Sequence, residues 1–518
     1  MKGGHQSFNV LLSIFFSVIF LVVVSWMLKI LYSLWWKPKS LERYLKTQGI
    51  YGPPYKFMYG NMKDMMELCQ KVRSKPIGLT HDIMRRVNPL FHQSMIDYGK
   101  VFLNWLGTTP QLVVMDQKLI KEILTNKYGD FLKMEITPSL KLLSTGMVVY
   151  DGDKWAKHRR LIKPAFHVEK LKLMLPAFAT CCDELINKWE KMVSSTGSCE
   201  LDVEPELKIL AGSVISLAAF GTSFKEGHRI IELQMEQSQL FLREYQIRKS
   251  IISRLFPSKE SKRRVEIYEE VRRLLKEIIE KREKSAGTNN DDLLGSLLES
   301  SRNEENKYSN SNTLTMEDVM EECKMFFFGG QETVSDTLTW TMIVLCMHPS
   351  WQEQAREEVS QVLGNRKPSF DDLSNMKLMT LILYEVLRLY PPAPLFRRTR
   401  ERTKLGKFCL PANMQIMVPL IFVHRDTDQM GDDANEFNPE RFSEGISRAS
   451  KDQISWFPFG WGHRSCIGQH FTFLEIKMAL ATILQHFSFE LSPSYTHAPS
   501  IITTLRPQGG AQIILHKL

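Results

Sequence analysis

The chain has 518 residues, 43% of them hydrophobic, and 67 Lys and Arg against 58 Asp and Glu leave a net charge of +9. That apolar content builds a large core and excludes a disordered chain or a small disulfide scaffold. The charge is too dilute for a nucleic-acid surface and suits an acidic protein partner or an anionic membrane. The eight cysteines include no C-x-x-C pair, so a zinc ribbon has no support and reduced thiols in a cytosolic setting are expected.

In chain order, the first element is an uncharged stretch of 21 residues from Phe8 to Leu28. As a helix it spans about 31 Å, enough to cross a bilayer core. A cleaved signal peptide would have a shorter apolar region and a small-residue cleavage site. Here Trp26, Lys29, Trp35, Trp36 and Lys37 follow as interfacial anchors. Lys29, Lys37, Lys39, Arg43 and Lys46 lie after the span and only Lys2 before it, which places the C-terminal bulk in the cytosol. Residues 1–36 are therefore expected to form a membrane anchor. Residues 37–54 are expected as a basic, Pro-rich hinge ending at Gly52-Pro53-Pro54, and 55–518 as one globular domain.

A helical period runs through 170–195, 205–220, 228–245, 316–347, 350–363, 372–390 and 468–487. Short alternating runs at 101–106, 111–115, 414–420 and 511–516 predict strands. Lys259 to Lys284 carries many i,i+4 opposite charges and predicts a solvated helix. Gly287 to Thr315 predicts an exposed loop broken by a short helix at Asp291–Ser301. The fold class is mainly α with small β-sheets.

The strongest chemical signal is Phe459-Gly460-Trp461-Gly462-His463-Arg464-Ser465-Cys466-Ile467-Gly468. A Gly-rich loop holds one cysteine just before a helical pattern that starts at Gln469. The helix dipole and the cation of Arg464 would lower the thiol pKa, and a thiolate so placed can ligate iron. A catalytic or simply buried cysteine is the competing reading.

F-x-x-G-x-R-x-C-x-G resembles the haem-binding loop of the cytochrome P450 family at all five fixed positions. The resemblance extends in order along residues 50–518. Trp155-Ala156-Lys157-His158-Arg159 resembles the W-x-x-x-R motif, and Gly329-Gly330-Gln331-Glu332-Thr333 the oxygen-binding helix segment. Glu385-Val386-Leu387-Arg388 resembles E-x-x-R, and Phe437-Asn438-Pro439-Glu440-Arg441-Phe442 the meander. It implies a haem-thiolate fold behind one transmembrane helix, with haem b as cofactor and Cys466 as the axial ligand of its iron. Arg464, Trp155, Arg159, Phe459, Gly462, Gly468 and Gly330 would line the cofactor. Glu385, Arg388 and Arg441 would form a buried network that positions the cysteine loop. His158, between Trp155 and Arg159, is expected to be exposed.

Within 316–347, two interior glycines cost about 1 kcal/mol each relative to alanine. This suggests a close approach or a kink near Gly329-Gly330. Glu332 and Thr333 would then be the catalytic pair, relaying protons for dioxygen activation; a back-bonded threonine in ordinary helix packing is the bland reading. Many relatives carry Thr or Ser after this threonine, whereas this chain has Val334, so the hydroxyl network is expected to be thinner. Met325 and Phe326-Phe327-Phe328 read as core, with one Phe facing substrate.

No G-x-G-x-x-G or flavin motif occurs. The resemblance therefore implies O2 and NADPH as co-substrates, with electrons supplied by a separate NADPH-cytochrome P450 reductase. His463, Arg464 and Lys477 are expected to help dock it. The implied location is the endoplasmic reticulum membrane, with the catalytic domain facing the cytosol. Trp-Ala-Lys-His-Arg-Arg (155–160), Pro-Ala-Phe-His (164–167) and Gln469-His470-Phe471 resemble the plant clan that oxidises isoprenoids. The favoured substrate is a triterpenoid, with gibberellin-like or secoiridoid substrates as alternatives. Contacts are expected from about 130–147, 235–250, 325–333 and 394–398. An O2-independent haem-thiolate isomerase or dehydratase is the competing enzyme class, and Thr333 argues against it. A non-catalytic haem sensor is the competing non-enzyme, and no nucleic-acid partner is expected.

Overall fold

The apolar N-terminal pattern forms helix α1 (Lys2–Leu31), and the chain passes through a π-helical turn, Tyr32–Trp36, into α2 (Lys37–Thr47). In this computed structural model the described residues are 2–135, 137–193, 197–222, 224–247, 259–284, 292–302, 313–451, 455–501 and 503–518. One helix among them is long and apolar enough to cross a membrane. Its Phe15, Phe16, Phe20 and Leu21 side chains are exposed. The stretch expected as a hinge is docked. Leu45 is fully buried, Tyr44 Oη donates to the carbonyl of Cys409, and Trp35 packs against Tyr55 and Phe57.

The expected helices form with small shifts at their ends. They include α3 (Gly152–Ile162), α4 (Val168–Val193), α5 (Val203–Val214), Phe224–Ile247, α6 (Lys259–Lys284), α7 (Met316–Met347) and Pro349–Leu363. In α6 most charges stay outside while Ile267, Val271, Leu275 and Ile278 make one buried stripe, and Arg264 is buried with them, donating to Ser139. The expected short helix of the polar run is Leu293–Arg302; residues 303–312 lie outside the described residues. α7 starts at a capping box in which Thr315 and Asp318 cap one another's backbone N–H groups. It is buried along most of its length and packs against α5.

One expected helix, 372–390, is two. A short helix, Phe370–Asn375, stops, and α8 (Lys377–Leu389) begins after Met376. The break has two remote causes. The Glu358 carboxylate accepts the Leu378 and Met379 N–H groups at 2.7 and 2.8 Å. The Lys477 ammonium donates to the Leu373 and Met376 carbonyls at 2.8 and 3.3 Å. Orphan groups at both new ends are thereby satisfied by distant side chains. The last long helix is α9 (Gln469–His486).

The sheets are small. The largest joins β1 (Val101–Leu106), β2 (Thr109–Val114), β3 (Phe131–Leu132), β5 (Leu395–Thr399) and β8 (Gln415–Val418) in the order β1-β2-β8-β5-β3. Only the β2–β8 pair is parallel. β12 (Gln512–Lys517) pairs β4 (Ser198–Asp202) and β9 (Phe487–Leu491). The hairpin β6 (Thr403–Leu405) with β7 (Phe408–Leu410) and the pair β10 (Pro499–Ile501) with β11 (Leu505–Pro507) complete the set.

Candidate functional site

The Cys466 loop is shaped by backbone that only glycine adopts freely. Gly460 and Gly462 have φ of 73° and 72°. A Cβ on Gly462 would meet the Leu124 carbonyl oxygen at 2.5 Å. Cys466 N–H donates to the Phe459 carbonyl at 2.8 Å, which closes the loop three residues before α9. The Cys466 side chain is exposed to water, yet the protein around it is dense enough to desolvate a thiolate there. Burial pushes its pKa up; the Gly468 backbone N–H, Arg159 and Lys133 pull it down. The expected lowering by Arg464 does not occur. That guanidinium turns to the Tyr150 carbonyl and the Asp151 carboxylate, both at 2.7 Å, and lies over the Trp155 ring at 4.0 Å.

Cations gather near this thiol: Arg159 and Lys133 act on it, while Arg397 and Arg464 crowd Lys133. Arg159 comes from α3, Arg464 from the loop, Arg397 from β5 and Lys133 from the segment after β3. Burial, with Arg397 and Arg464 beside it, drives Lys133 down to about 7. Burial, with Arg464 next, drives Arg397 down to about 10. The carboxylate that bears on three of them is Asp151, which also accepts the Lys133 backbone N–H at 3.1 and 3.0 Å. Lys133 and Arg397 fall in two stretches expected to touch substrate. Neither was singled out, because a basic residue in a strand or loop has no periodic signature. Asp151 was missed for the same reason.

The long helix α7 runs through Gly329-Gly330 without a break. A Cβ on Gly330 would meet Ile215 Cδ1 at 3.0 Å, so that glycine fits the helix against the π turn Ile215–Ala219; the space beside Gly329 is open save for Met325. Thr333 Oγ1 donates to the Gly329 carbonyl at 2.7 Å, the geometry of ordinary back-bonding. Glu332 points elsewhere, into a small pocket with Lys208, Ser238, Thr503 and Arg506. Phe327 stacks on Phe220 and Phe326 on Phe166, while Phe328 is half-buried.

Glu385 and Arg388 form a bidentate pair at 2.7 and 2.8 Å, both fully buried. Arg388 also donates to the carbonyls of His424, Ala434 and Glu436. Asn438 N–H donates to Glu385, and Arg441 lies 3.6 Å from it while pairing with Asp433 at 2.7 Å. Phe442, Trp456, Tyr384 and Phe459 share a separate apolar cluster. That cluster connects the helix of Glu385 to the Cys466 loop.

Two expectations about surface charge are overturned. His158 is buried: its Nδ1 lies 2.6 Å from Glu322 Oε1 and its Nε2 3.6 Å from Asp318, which ties α3 to α7. Lys477 is buried at the helix break described above, and burial lowers it to about 8. Neither it nor Arg464 is free to dock a partner. His463 is exposed and meets Trp155 edge-on.

These residues fit an iron porphyrin. The cysteine sulfur is held in a glycine-shaped loop, and Lys133, Arg159, Arg397 and Arg464 outnumber their carboxylate partner Asp151, as a dianionic edge requires. The family model for cytochrome P450 matches residues 78–515. The chain is 52% identical to cytochrome P450 CYP72A616 of Paris polyphylla, covering 94% of this chain and 95% of the relative. It is 48% identical to the 11-oxo-beta-amyrin 30-oxidase of Glycyrrhiza uralensis, covering 97% of each. Retinoic acid-bound cyanobacterial CYP120A1 has the same fold, with a TM-score of 0.72, 22% identity, and 82% and 94% of the two chains covered. Motif order, fold and full-length similarity agree: the chain is a member of the cytochrome P450 family, a haem monooxygenase and oxidoreductase.

Proposed function

We propose that the protein oxidises a hydrophobic plant isoprenoid, a triterpenoid in the favoured case, in reach of a membrane. The observation that carries the site is a cation cluster, Arg159 and Lys133 acting on Cys466 with Arg397 and Arg464 against Lys133. The substrate class rests on full-length similarity to an oxidase whose name specifies a triterpenoid. The exposed apolar α1 supports an anchor, and endoplasmic reticulum with a cytosol-facing domain is the proposed location.

Cys466 would ligate the haem iron as a thiolate, its proton released on metal binding. Arg159, Arg464, Arg397, Lys133 and the Trp155 N–H would hold the propionate edge through charge-assisted hydrogen bonds. Phe459, Gly462 and Gly468 would pack at the cysteine face. Haem held there supplies the one-electron and O2 chemistry, fed from NADPH by a separate reductase.

The protein's own part is proton handling and exclusion of water. Thr333 keeps its hydroxyl proton on the Gly329 carbonyl, so its oxygen is open to accept a further hydrogen bond. Glu332 faces the polar pocket, from which it can be reprotonated and deliver to the Thr333 side by a side-chain turn. Val334 adds no hydroxyl, and Ser335 donates to the Glu332 carbonyl at 3.2 Å, so this side of the relay is sparse. Phe326, Phe327 and Phe328 keep the adjoining wall apolar.

The deciding experiment is the carbon monoxide difference spectrum of the reduced protein in microsomes, beside Cys466→Ser. A red-shifted Soret band lost in the variant supports the ligand. Conversion of 11-oxo-β-amyrin with reductase and NADPH then tests the triterpenoid assignment, and turnover confined to other isoprenoids would refute it.

A further inference from the structure

Behind the relay threonine, α7 carries a second carboxyl that no motif calls for. Asp336 is 1% exposed, and neither of its oxygens has a well-formed hydrogen bond among the described residues, the buried Thr504 hydroxyl being the one side-chain donor that bears on it. It lies one turn after Glu332, at the i,i+4 spacing that puts Cβ atoms about 6 Å apart on one face. The face is crowded with acids. α5 contributes Glu204 and Lys208, but that lysine is already paired with Glu204 at 2.5 Å. Arg506 reaches the pocket that Glu332 lines, and the Thr504 hydroxyl tempers the field at Asp336. Two further carboxyls therefore share a buried face without a buried cation of their own. Such a pair keeps at least one proton.

We propose that Asp336 is a proton-holding residue of this chain, positioned to share its proton with Glu332 and not with Thr333. In the exchange the Asp336 O–H bond breaks, a Glu332 O–H bond forms, and one negative charge moves from Glu332 to Asp336. Asp336 regains its proton by the reverse exchange once Glu332 has been reprotonated from the pocket it lines with Lys208 and Arg506. The electrostatics agree: burial first and the Glu332 charge second raise Asp336 to about 8, against smaller opposing effects of Thr504 and Lys208 and a small reinforcing one of Glu204. The inference rests on Glu332 acting in the relay, and it concerns what supplies Glu332.

The test is infrared titration of the purified full-length haemoprotein in detergent. The difference between the parent and Asp336→Asn should show the carbonyl absorption of a protonated carboxyl at pH 7. It should disappear with a midpoint near 8. Glu475, whose acid form burial also favours, contributes equally to both and cancels. In Glu332→Gln the Asp336 midpoint should fall by about one pH unit or more, because a like charge is gone. Asp336→Leu should lose the same absorption and serves if the asparagine variant fails to fold. The melting temperature gives a second readout. A raised carboxyl pKa means stability is lost as pH climbs from about 4 toward 8, so Asp336→Asn should gain on the parent over pH 6 to 8. No assignable band at pH 7, or a midpoint unmoved by Glu332→Gln, overturns the proposal. Turnover of Glu332→Gln and Thr333→Ala tests the relay itself: parent-like rates in both would sink that reading while leaving the infrared result standing.

Discussion

Two clusters of charge support the Cys466 loop, and they are built on opposite rules. Around Glu385 and Arg388 each charge meets its complement: one carboxylate, its guanidinium, backbone carbonyls and the Asn438 N–H. Around Lys133, Arg397, Arg464 and Arg159 the cations face Asp151 and a thiol. Burial lowers the pKa of all four. The first cluster is complete without any ligand and so belongs to the fold. The second lowers its energy by receiving an anion and so belongs to the site.

The difference can be broken at its strongest point first. Cys466→Ser should abolish the red-shifted carbon monoxide band and all reductase-driven turnover, while circular dichroism still shows a helical fold. Parent-like turnover would end the thiolate assignment.

Next is the closed cluster. Arg388→Leu takes the bidentate partner from buried Glu385 and leaves only Arg441 at 3.6 Å, a change worth about 3–5 kcal/mol. Loss of soluble, haem-loaded protein is expected, read by thermal unfolding and the yield of the carbon monoxide band. A variant as stable as the parent would show that the pair is not needed for folding.

The open cluster should respond differently. Arg397→Ala removes a charge-assisted contact worth about 1.5–3 kcal/mol, so haem loss to a scavenger protein should speed by roughly 10–100-fold with the fold retained. Equal destabilisation of the haem-free protein would erase the distinction between the two clusters.

The smallest effect is the sharpest. Lys133 at about 7 is depressed from its unfolded value. Its contribution is complete above the unfolded pKa of about 10.4 and is lost as pH falls through about 7. In haem-free protein, Lys133→Met should therefore gain stability relative to the parent between pH 10 and 7. Haem should remove or reverse that gain, because a propionate stabilises the charged form. Identical slopes in both proteins would count against Lys133 in the pocket.

Much of this could be read from the chain. The loop 459–468, the pair Glu385–Arg388 and the long helices are local patterns, and local patterns survive into the fold because spacing alone sets which residues share a face. The readings that failed were statements about neighbours. His158 looks like a free surface histidine until Glu322, 164 residues later, closes on it. Lys477 looks like a docking cation until the break at Met376 claims its ammonium. Arg464 looks like the thiol's cation until Asp151 takes it.

What the sequence by itself determined is the helical architecture, the position of the cysteine loop and the apolar span at the N-terminus, since periodicity, glycine spacing and uncharged length are properties of a short window. What only the tertiary structure decided is where the charges go: which cations crowd the thiol, that Gly330 serves packing against Ile215, and that Asp336 is sealed beside Glu332. Burial and long-range pairing set those energies, and neither has a signature in a window of residues.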